Sequence, residues 1–525
     1  MQRSEKNIII FSGLIGFLAC IIPVWLRPEH YPSDDAYFYL QVASNIVAGY
    51  GSTFNRIAMT NGFHPLWQIC CTGIFVLTGG DKSAALLLVC IFQQLLFIGI
   101  LYYVLRLNEF LRLRFWYLAI PVLVFYFLCT GLYASEAHLH GLLLVMLTYY
   151  VIREVIGRAS SPRDWLLIGV LTGLLFLARL DSIFFSVPLI LAAAWKSRHD
   201  RKAVINIGLA AIAACCLGLP YVLYNYFSFG HFVPISGAIK STFPYISANF
   251  GAISGIGEIA TLAGICGLFA GLFSEKGSGR RWVFLALSCG TLLLTLYLYL
   301  FTDGNTRWAW YYVVGITLAA LLVAYLFDLG SRLLFRRRER VRIAAAVTIF
   351  LTLVAFTGMR SWSKYASGNS QGLNPFNFHV YTDKKWQIEI ALWLRSHMPA
   401  HTNIFMFDWP GMIGYYSDMN ILSSDGLIND YEYNDRLRRD GINSYLKQNH
   451  VFYWLGHVQE HPDESATFSN RAGSDSTQIV TIYAPLYRTS AGSFLLTKDH
   501  LVADFRTVIP NPLMPDLALW MIDPK

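Results

Sequence analysis

The feature that most limits what this chain can fold into is a recurrence of apolar stretches through its first 358 residues. They lie near 7–26, 83–105, 115–131, 137–152, 165–178, 182–195, 204–227, 252–274, 282–301, 308–327 and 343–358. Backbone polar groups in hydrocarbon must find partners inside their own segment, so stretches of this kind are read as helices. Hydrophobic residues make up 55% of the chain and charged residues 14%, against about 25% charged in soluble domains. An ordinary soluble enzyme is therefore excluded, as are a disordered chain, a collagen and a disulfide scaffold. The pattern predicts a polytopic α-helical membrane protein of about 11 transmembrane helices. Segment 65–79 is apolar but short, and is read as a half-buried interfacial helix.

The net charge of +8 invites a nucleic-acid reading, so the placement of the cations matters. With the N-terminus inside and 65–79 not spanning, 21 Lys and Arg residues fall in inner segments: Arg3, Lys6; Arg106, Arg112, Arg114; Arg153, Arg158, Arg163; Lys196, Arg198, Arg201, Lys202; Lys276, Arg280, Arg281; Arg332, Arg336, Arg337, Arg338, Arg340, Arg342. Only Arg27, Arg56, Lys82, Arg179, Lys240 and Arg307 fall in outer segments before residue 359. Basic residues concentrate on the cytoplasmic side of membrane proteins, so the charge excess encodes an N-in, C-out topology and predicts no nucleic-acid partner. Residues 7–26 follow a short basic lead and precede no small-x-small cleavage site, so they are read as an uncleaved first span. All nine cysteines precede residue 358 within apolar runs and lack metal-type spacing; they are read as small buried hydrophobes.

The character changes from about residue 359. Residues 359–525 hold 14 basic and 17 acidic residues and no cysteine. An expected helix at 383–397, strand at 403–407, Gly-rich turn, strand at 419–423, helix at 432–448 and strand at 450–455 predict a soluble α/β domain on the outer face. Two domains are expected: 1–358, with amphipathic outer-loop helices at about 35–79, and 359–525.

In so apolar a chain the outer polar residues are conspicuous. Ala36, Leu40, Ala43 and Val47 recur at helical spacing, predicting an amphipathic helix on the membrane surface with Ser33 as its N-cap. Asp34 and Asp35 then occupy its first turn, where the macrodipole alone favours carboxylates. Glu136 follows the third span, and Arg179 and Asp181 sit between two short apolar runs. Ionised groups at that depth need a polar cavity or a partner; an Arg179–Asp181 ion pair and a functional role both meet that need. Lys240, Asn225 and Arg307 add polar and positive groups on the same face, as a site for an anionic lipid-linked substrate requires. His64, in N-G-F-H-P, is read either as a substrate contact or as local turn structure. His138 and His140 make no convincing metal pair, and the run Trp308, Trp310, Tyr311, Tyr312 is read as an interfacial aromatic belt. No P-loop, G-x-G-x-x-G or zinc motif is present.

Together these residues carry a resemblance. The early outer-face Asp34-Asp35, the helix ending in G-Y-G-S-T-F and the T-N-G-F-H-P-L-W at 60–67 resemble the GT-C superfamily of polytopic glycosyltransferases. The likeness is nearest to the branch with the actinobacterial arabinofuranosyltransferases, and more distant to the protein O-mannosyltransferases and the lipid A aminoarabinose transferases. A-R-L-D at 178–181, the stretch 220–241 and G-M-I-G-Y-Y-S-D…S-D-G-L-I-N-D-Y-E-Y at 411–433 fit as well. The resemblance implies transfer of a sugar from a polyprenyl-phosphate donor to a glycan, lipid or protein acceptor outside a bacterial inner membrane. It also implies that an aspartate of the first outer loop, Asp34 or Asp35, is the catalytic base. Some superfamily members bind a divalent cation near these carboxylates; nothing in the residues requires one.

The chemistry is consistent. A glycosyl phosphate carries its own leaving group, so one carboxylate that accepts the acceptor's proton suffices, with inversion. Arg179, Lys240 and Arg307 are the candidates for the donor phosphate. Glu136, Asp181, His64 and Asn225 are the candidates for binding or orienting substrate. Two other functions fit a chain of this class: a transporter or flippase of lipid-linked sugars, and a non-catalytic glycan-assembly protein. A transporter more often shows internal repeats and polar groups at the bilayer midplane.

Overall fold

The structure, a computed structural model, describes residues 3–156, 161–198, 200–253, 255–302, 308–336, 338–367, 384–406, 409–439, 442–457, 477–484, 489–511, 514 and 516–523. Arg307, an expected phosphate-binding cation, lies outside the described residues, as do Arg158, Arg337 and Phe407.

The first part of the chain is helical: α1 (Arg3–Leu26), α2 (Asp34–Val47), α3 (Pro65–Leu77), α4 (Lys82–Leu111), α5 (Ala119–Cys129), α6 (Ala137–Ile156), α7 (Pro162–Ala178), α8 (Ile183–Ser197), α9 (Arg201–Phe229), α10 (Ile235–Lys240), α11 (Ile256–Leu272), α12 (Gly279–Phe301), α13 (Val313–Leu334) and α14 (Glu339–Ser367). Among the described residues six helical segments, those of α1, α4, α9, α12, α13 and α14, are long and apolar enough to cross a membrane by length and composition. Helices α5, α7 and α8 have 11, 17 and 15 residues, about 17 to 26 Å at about 1.5 Å per residue. Large apolar side chains such as Ile10, Phe11, Ile98, Ile205, Ile212 and Leu219 face outward, whereas Gln93, Gln94, His138, His140 and Asn206 are buried. Apolar outside and polar inside is the arrangement of a multi-pass membrane protein.

The second part continues with α15 (Lys384–His397), β1 (Asn403–Met406), α16 (Pro410–Ser417), β2 (Asn420–Ser423), α17 (Tyr431–Arg439), α18 (Asn443–Gln448), β3 (Tyr453–His457), the strands β4 (Thr477–Ala484) and β5 (Thr489–Thr497), β6 (Leu501–Asp504), α19 (Phe505–Val508) and β7 (Leu517–Met521). Five strands form a mixed sheet in the order β2-β1-β3-β7-β6, with β1 parallel to both neighbours. Strand side chains alternate between faces. Ile404, Met406, Ile421 and Leu455 meet α15 and α16 on one side, while Phe405, Leu422 and Trp454 meet α17 and α18 on the other. The stretch G-M-I-G-Y-Y-S, expected as a turn, is helix α16. The single helix expected at 432–448 is two, α17 and α18.

Helix α2 departs from expectation in a way that matters for the site. It does not lie with one face on lipid headgroups. Ala36, Tyr37, Tyr39, Leu40 and Ala43 enter the bundle core with Trp67, Cys71 and Phe75 of α3. Phe38 and Val42 enter the core of the sheet module with Ile404, Met406 and Ile413. The helix is a shared layer, clamped on both sides, and this rigidly positions its first turn.

Candidate active site

The first turn of α2 carries Asp34 and Asp35, and the two carboxylates have different surroundings. Asp34 accepts hydrogen bonds from the backbone N–H of Gly411 (2.8 Å) and Met412 (2.9 Å). Both of its oxygens thus cap the N-terminus of α16, where free N–H groups and the helix dipole attract a carboxylate. Ser33, expected to cap α2, makes no side-chain cap bond. Asp35 makes no hydrogen bond to any other described residue. Its charged neighbours are Lys240, Asp425 and Glu136. Burial raises both carboxyls, Asp34 to about 7 in spite of its N–H donors and Asp35 to about 6 in spite of Lys240.

The α2–α16 seam is tight. A Cβ on Gly411 would lie 2.2 Å from the backbone oxygen of Asp34. Gly411→Ala is therefore expected to cost about 1–3 kcal/mol by overpacking and to lower the thermal unfolding midpoint in detergent. An unchanged midpoint would show that the seam yields.

A second group is built around Arg179, which is 2% exposed. It follows α7 and precedes the 3-10 turn Leu180–Ser182. Its Nε and one terminal nitrogen donate to the two oxygens of Asp181 (2.9 and 2.6 Å), and the other terminal nitrogen donates to Glu136 (2.6 Å). The guanidinium carbon lies 4.9 Å from the Tyr311 ring centre. Glu136 also accepts from the Tyr39 hydroxyl (3.0 Å), and His64 Nε2 lies 3.8 Å from its other oxygen. The turn that presents Glu136 is pinned from two helices. Gln93 accepts from Ala134 N–H (2.6 Å) and donates to Ser135 C=O (2.7 Å), and Trp67 donates to Ala134 C=O (2.8 Å).

Burial would raise Asp181, but the Arg179 charge and its hydrogen bonds hold the carboxyl down at about 2. Burial would likewise raise Glu136, and the neighbouring His64 and Arg179 reverse this and hold it below its usual range. His64 is pushed down by burial, against the pull of Glu136. Lys240 ends α10, with its ammonium 5.9 Å from the Tyr311 ring centre. Burial alone would lower it; Tyr311, Asp35 and Asp425 more than offset that and raise it. It makes no ion pair within 4 Å among the described residues, in contrast to Arg179.

Of the residues expected from sequence, Asp35, Glu136, Arg179, Asp181, His64 and Lys240 come together around Tyr311. Asp34 lies beside them, facing α16. Asn225 stands one step back: it accepts from Asn61 (3.1 Å), whose own oxygen accepts from Ile235 N–H (3.0 Å) and so anchors the start of α10. Sequence reasoning missed three participants. Tyr39 was hidden in an aromatic helix, Tyr311 in a run read as a belt, and Asp425 in the Gly-containing turn after β2. As for a divalent cation, both oxygens of Asp34, Glu136 and Asp181 are already occupied by protein donors. Among the described residues no group of three His, Cys, Asp or Glu side chains could hold a metal ion. The donor set of the described residues does not fit a metal site.

The chain shares its overall fold with solved structures of one membrane-bound relative. It is similar in structure to ArnT from Cupriavidus metallidurans in the apo state, with TM-score 0.52, 11% identity, and coverage of 87% of this chain and 94% of that one. The similarity to the same protein bound to undecaprenyl phosphate has TM-score 0.52 and 12% identity over 87% and 94% of the two chains. Arabinofuranosyltransferase AftD from Mycobacteria matches 99% of this chain but 40% of its own length, with TM-score 0.44 and 13% identity. A family model described as a domain of unknown function (DUF8728) matches residues 377–502. No curated protein sequence matches the chain.

Proposed function

We propose that the protein is a glycosyltransferase that moves a sugar from a polyprenyl-phosphate donor to a hydroxyl of a cell-envelope glycan, lipid or protein, with inversion. The observation that carries this reading is Asp35. Among the described residues its carboxylate accepts no hydrogen bond from another residue, and it lies beside Lys240, which has no ion pair within 4 Å there, at the junction of a membrane bundle and a sheet module. The bound undecaprenyl phosphate of ArnT supports a polyprenyl-phosphate partner here. The distribution of 21 inner and six outer cations supports eleven spans, with the site and the sheet module outside the inner membrane.

In the proposed reaction the acceptor oxygen attacks C1 of the donor sugar and its proton passes to the Asp35 carboxylate. The C1–O bond to phosphate breaks, and its electron pair leaves on the polyprenyl phosphate. Lys240 neutralises the growing negative charge. No general acid is needed, because the departing phosphate is a stable anion. Arg179, with three nitrogens on two carboxylates, holds Glu136 and Asp181 in place. Arg307, four residues before Tyr311, is proposed as a second phosphate contact.

Two results follow. Asp35 accepts a proton only when ionised, and its carboxyl is raised to about 6. The kcat/KM profile should therefore be flat above pH 7 and fall as the pH drops through about 6, approaching tenfold per pH unit. A rate that holds down to pH 4.5 would rule out a base so placed. Replacing Lys240 by Ala removes the cation offered to the phosphate. Polyprenyl phosphate should bind roughly 10- to 100-fold more weakly, the worth of a hydrogen bond to a charged group, as titration in nanodiscs would measure.

A further inference from the structure

Asp425 follows β2 and is 6% exposed. One of its oxygens accepts from the Ser423 hydroxyl (2.8 Å) and from Leu427 N–H (3.0 Å). The other makes no hydrogen bond to a described residue. Asp34, by contrast, engages both of its oxygens with described residues.

The turn that carries Asp425 is fixed to the bundle's outer connections. Leu427 packs with Ile235 and Ile239 of α10, and Tyr431 lies against that cluster. A Cβ on Gly62 would come within 2.1 Å of the Leu427 carbonyl oxygen. Asn55 donates to Asn429 (3.4 Å), Asn429 donates to the Ser423 carbonyl (2.7 Å), and the Tyr431 hydroxyl donates to the Val233 carbonyl. The carboxylate is thus held near Lys240 and Asp35 by the same contacts that seat α10.

We infer that Asp425 is a positioning residue of the transfer site, contributed by the sheet module, whose second oxygen accepts a hydrogen bond from a hydroxyl adjacent to the attacking one, and that the acceptor is an uncharged, polyhydroxylated sugar residue. The inference rests on the function proposed above. Asp35 is faced by Asp425 from the turn after β2, Lys240 from α10, Glu136 from the turn before α6 and Asp34 from its own helix. Lys240 is taken by the donor phosphate and Arg179 by Glu136 and Asp181. An anionic acceptor would therefore meet carboxylates without a matching cation among the described residues, whereas hydroxyls find acceptors. This placement also keeps a negative charge beside the base, which strengthens it.

The test uses the full chain in nanodiscs with a polyprenyl-phosphate sugar pool, and as acceptors a neutral disaccharide glycoside and its uronic-acid counterpart. Asp425→Asn should raise the KM for the neutral acceptor roughly 10- to 100-fold, with the KM for donor unchanged. The acid limb of its kcat/KM profile should move to lower pH, since a like charge beside Asp35 is gone. Ser423→Ala, which keeps the carboxylate but loosens its aim, should raise acceptor KM by a smaller factor and leave the acid limb in place. The parent should prefer the neutral acceptor. Parental acceptor KM and acid limb in Asp425→Asn, or equal use of the anionic acceptor by the parent, would overturn the inference while leaving the proposed function standing. A parent that transfers no sugar to either acceptor would overturn both.

Discussion

Asp35→Asn is expected to lower kcat by about a hundred- to ten-thousand-fold, the range for removing a general base, with little change in thermal stability. The neighbouring substitution should behave differently. Asp34 is tied by both oxygens to the N-terminus of α16. In Asp34→Asn one backbone donor loses its acceptor, which costs about 1–3 kcal/mol. The remaining folded protein should turn over within about tenfold of the parent. Unfolding curves and single-turnover rates on both variants separate the two roles. If Asp34→Asn were dead and Asp35→Asn active, the assignment would be reversed.

The second large effect is expected at Arg179. Its guanidinium joins Glu136 and Asp181 in a site where it is 2% exposed. Arg179→Ala leaves two buried carboxylates without their cation, and breaking a buried ion pair from one side costs about 3–5 kcal/mol. A steep fall in the unfolding midpoint should accompany loss of activity. Arg179→Lys should recover only part of either, because an ammonium cannot donate in a fork to Asp181 and reach Glu136 as well. If Arg179→Ala unfolded at the parental midpoint and lost only donor affinity, Arg179 would be a phosphate ligand and not the hub of the carboxylate cluster.

Glu136, Arg179 and Asp181 were legible because charges between apolar spans must find partners, and here they find each other. The distinction between Asp34 and Asp35 was not legible, since it depends on backbone donors 377 and 378 residues away. Helix α2 reads as amphipathic because Ala36, Leu40 and Ala43 recur at helical spacing; that Phe38 and Val42 are also covered follows from a module the local pattern does not see. The glycines of G-M-I-G-Y-Y-S suggested a turn. In the fold they permit close approach, Gly411 to Asp34 and Gly414 to the Phe54 ring, whose nearest atom would lie 2.9 Å from an added Cβ. Tyr311 was obscured by its neighbours, because a ring shared by two cations and a ring at a membrane interface have the same sequence signature. Asp425 lay in a quoted motif, but its part in the site depends on α10 and the loop before α3.

The central claim is cleavage of a polyprenyl-phosphate sugar at its C1–O bond with Asp35 as base. Its most direct measurement follows free polyprenyl phosphate by mass spectrometry in nanodiscs holding the parent or Asp35→Asn, each supplied with polyprenyl-phosphate sugars and envelope acceptors. The account predicts free polyprenyl phosphate and glycosylated acceptor in equal amounts from the parent and neither from the variant. Intact donor in the presence of the parent, or equal release by both proteins, would contradict it.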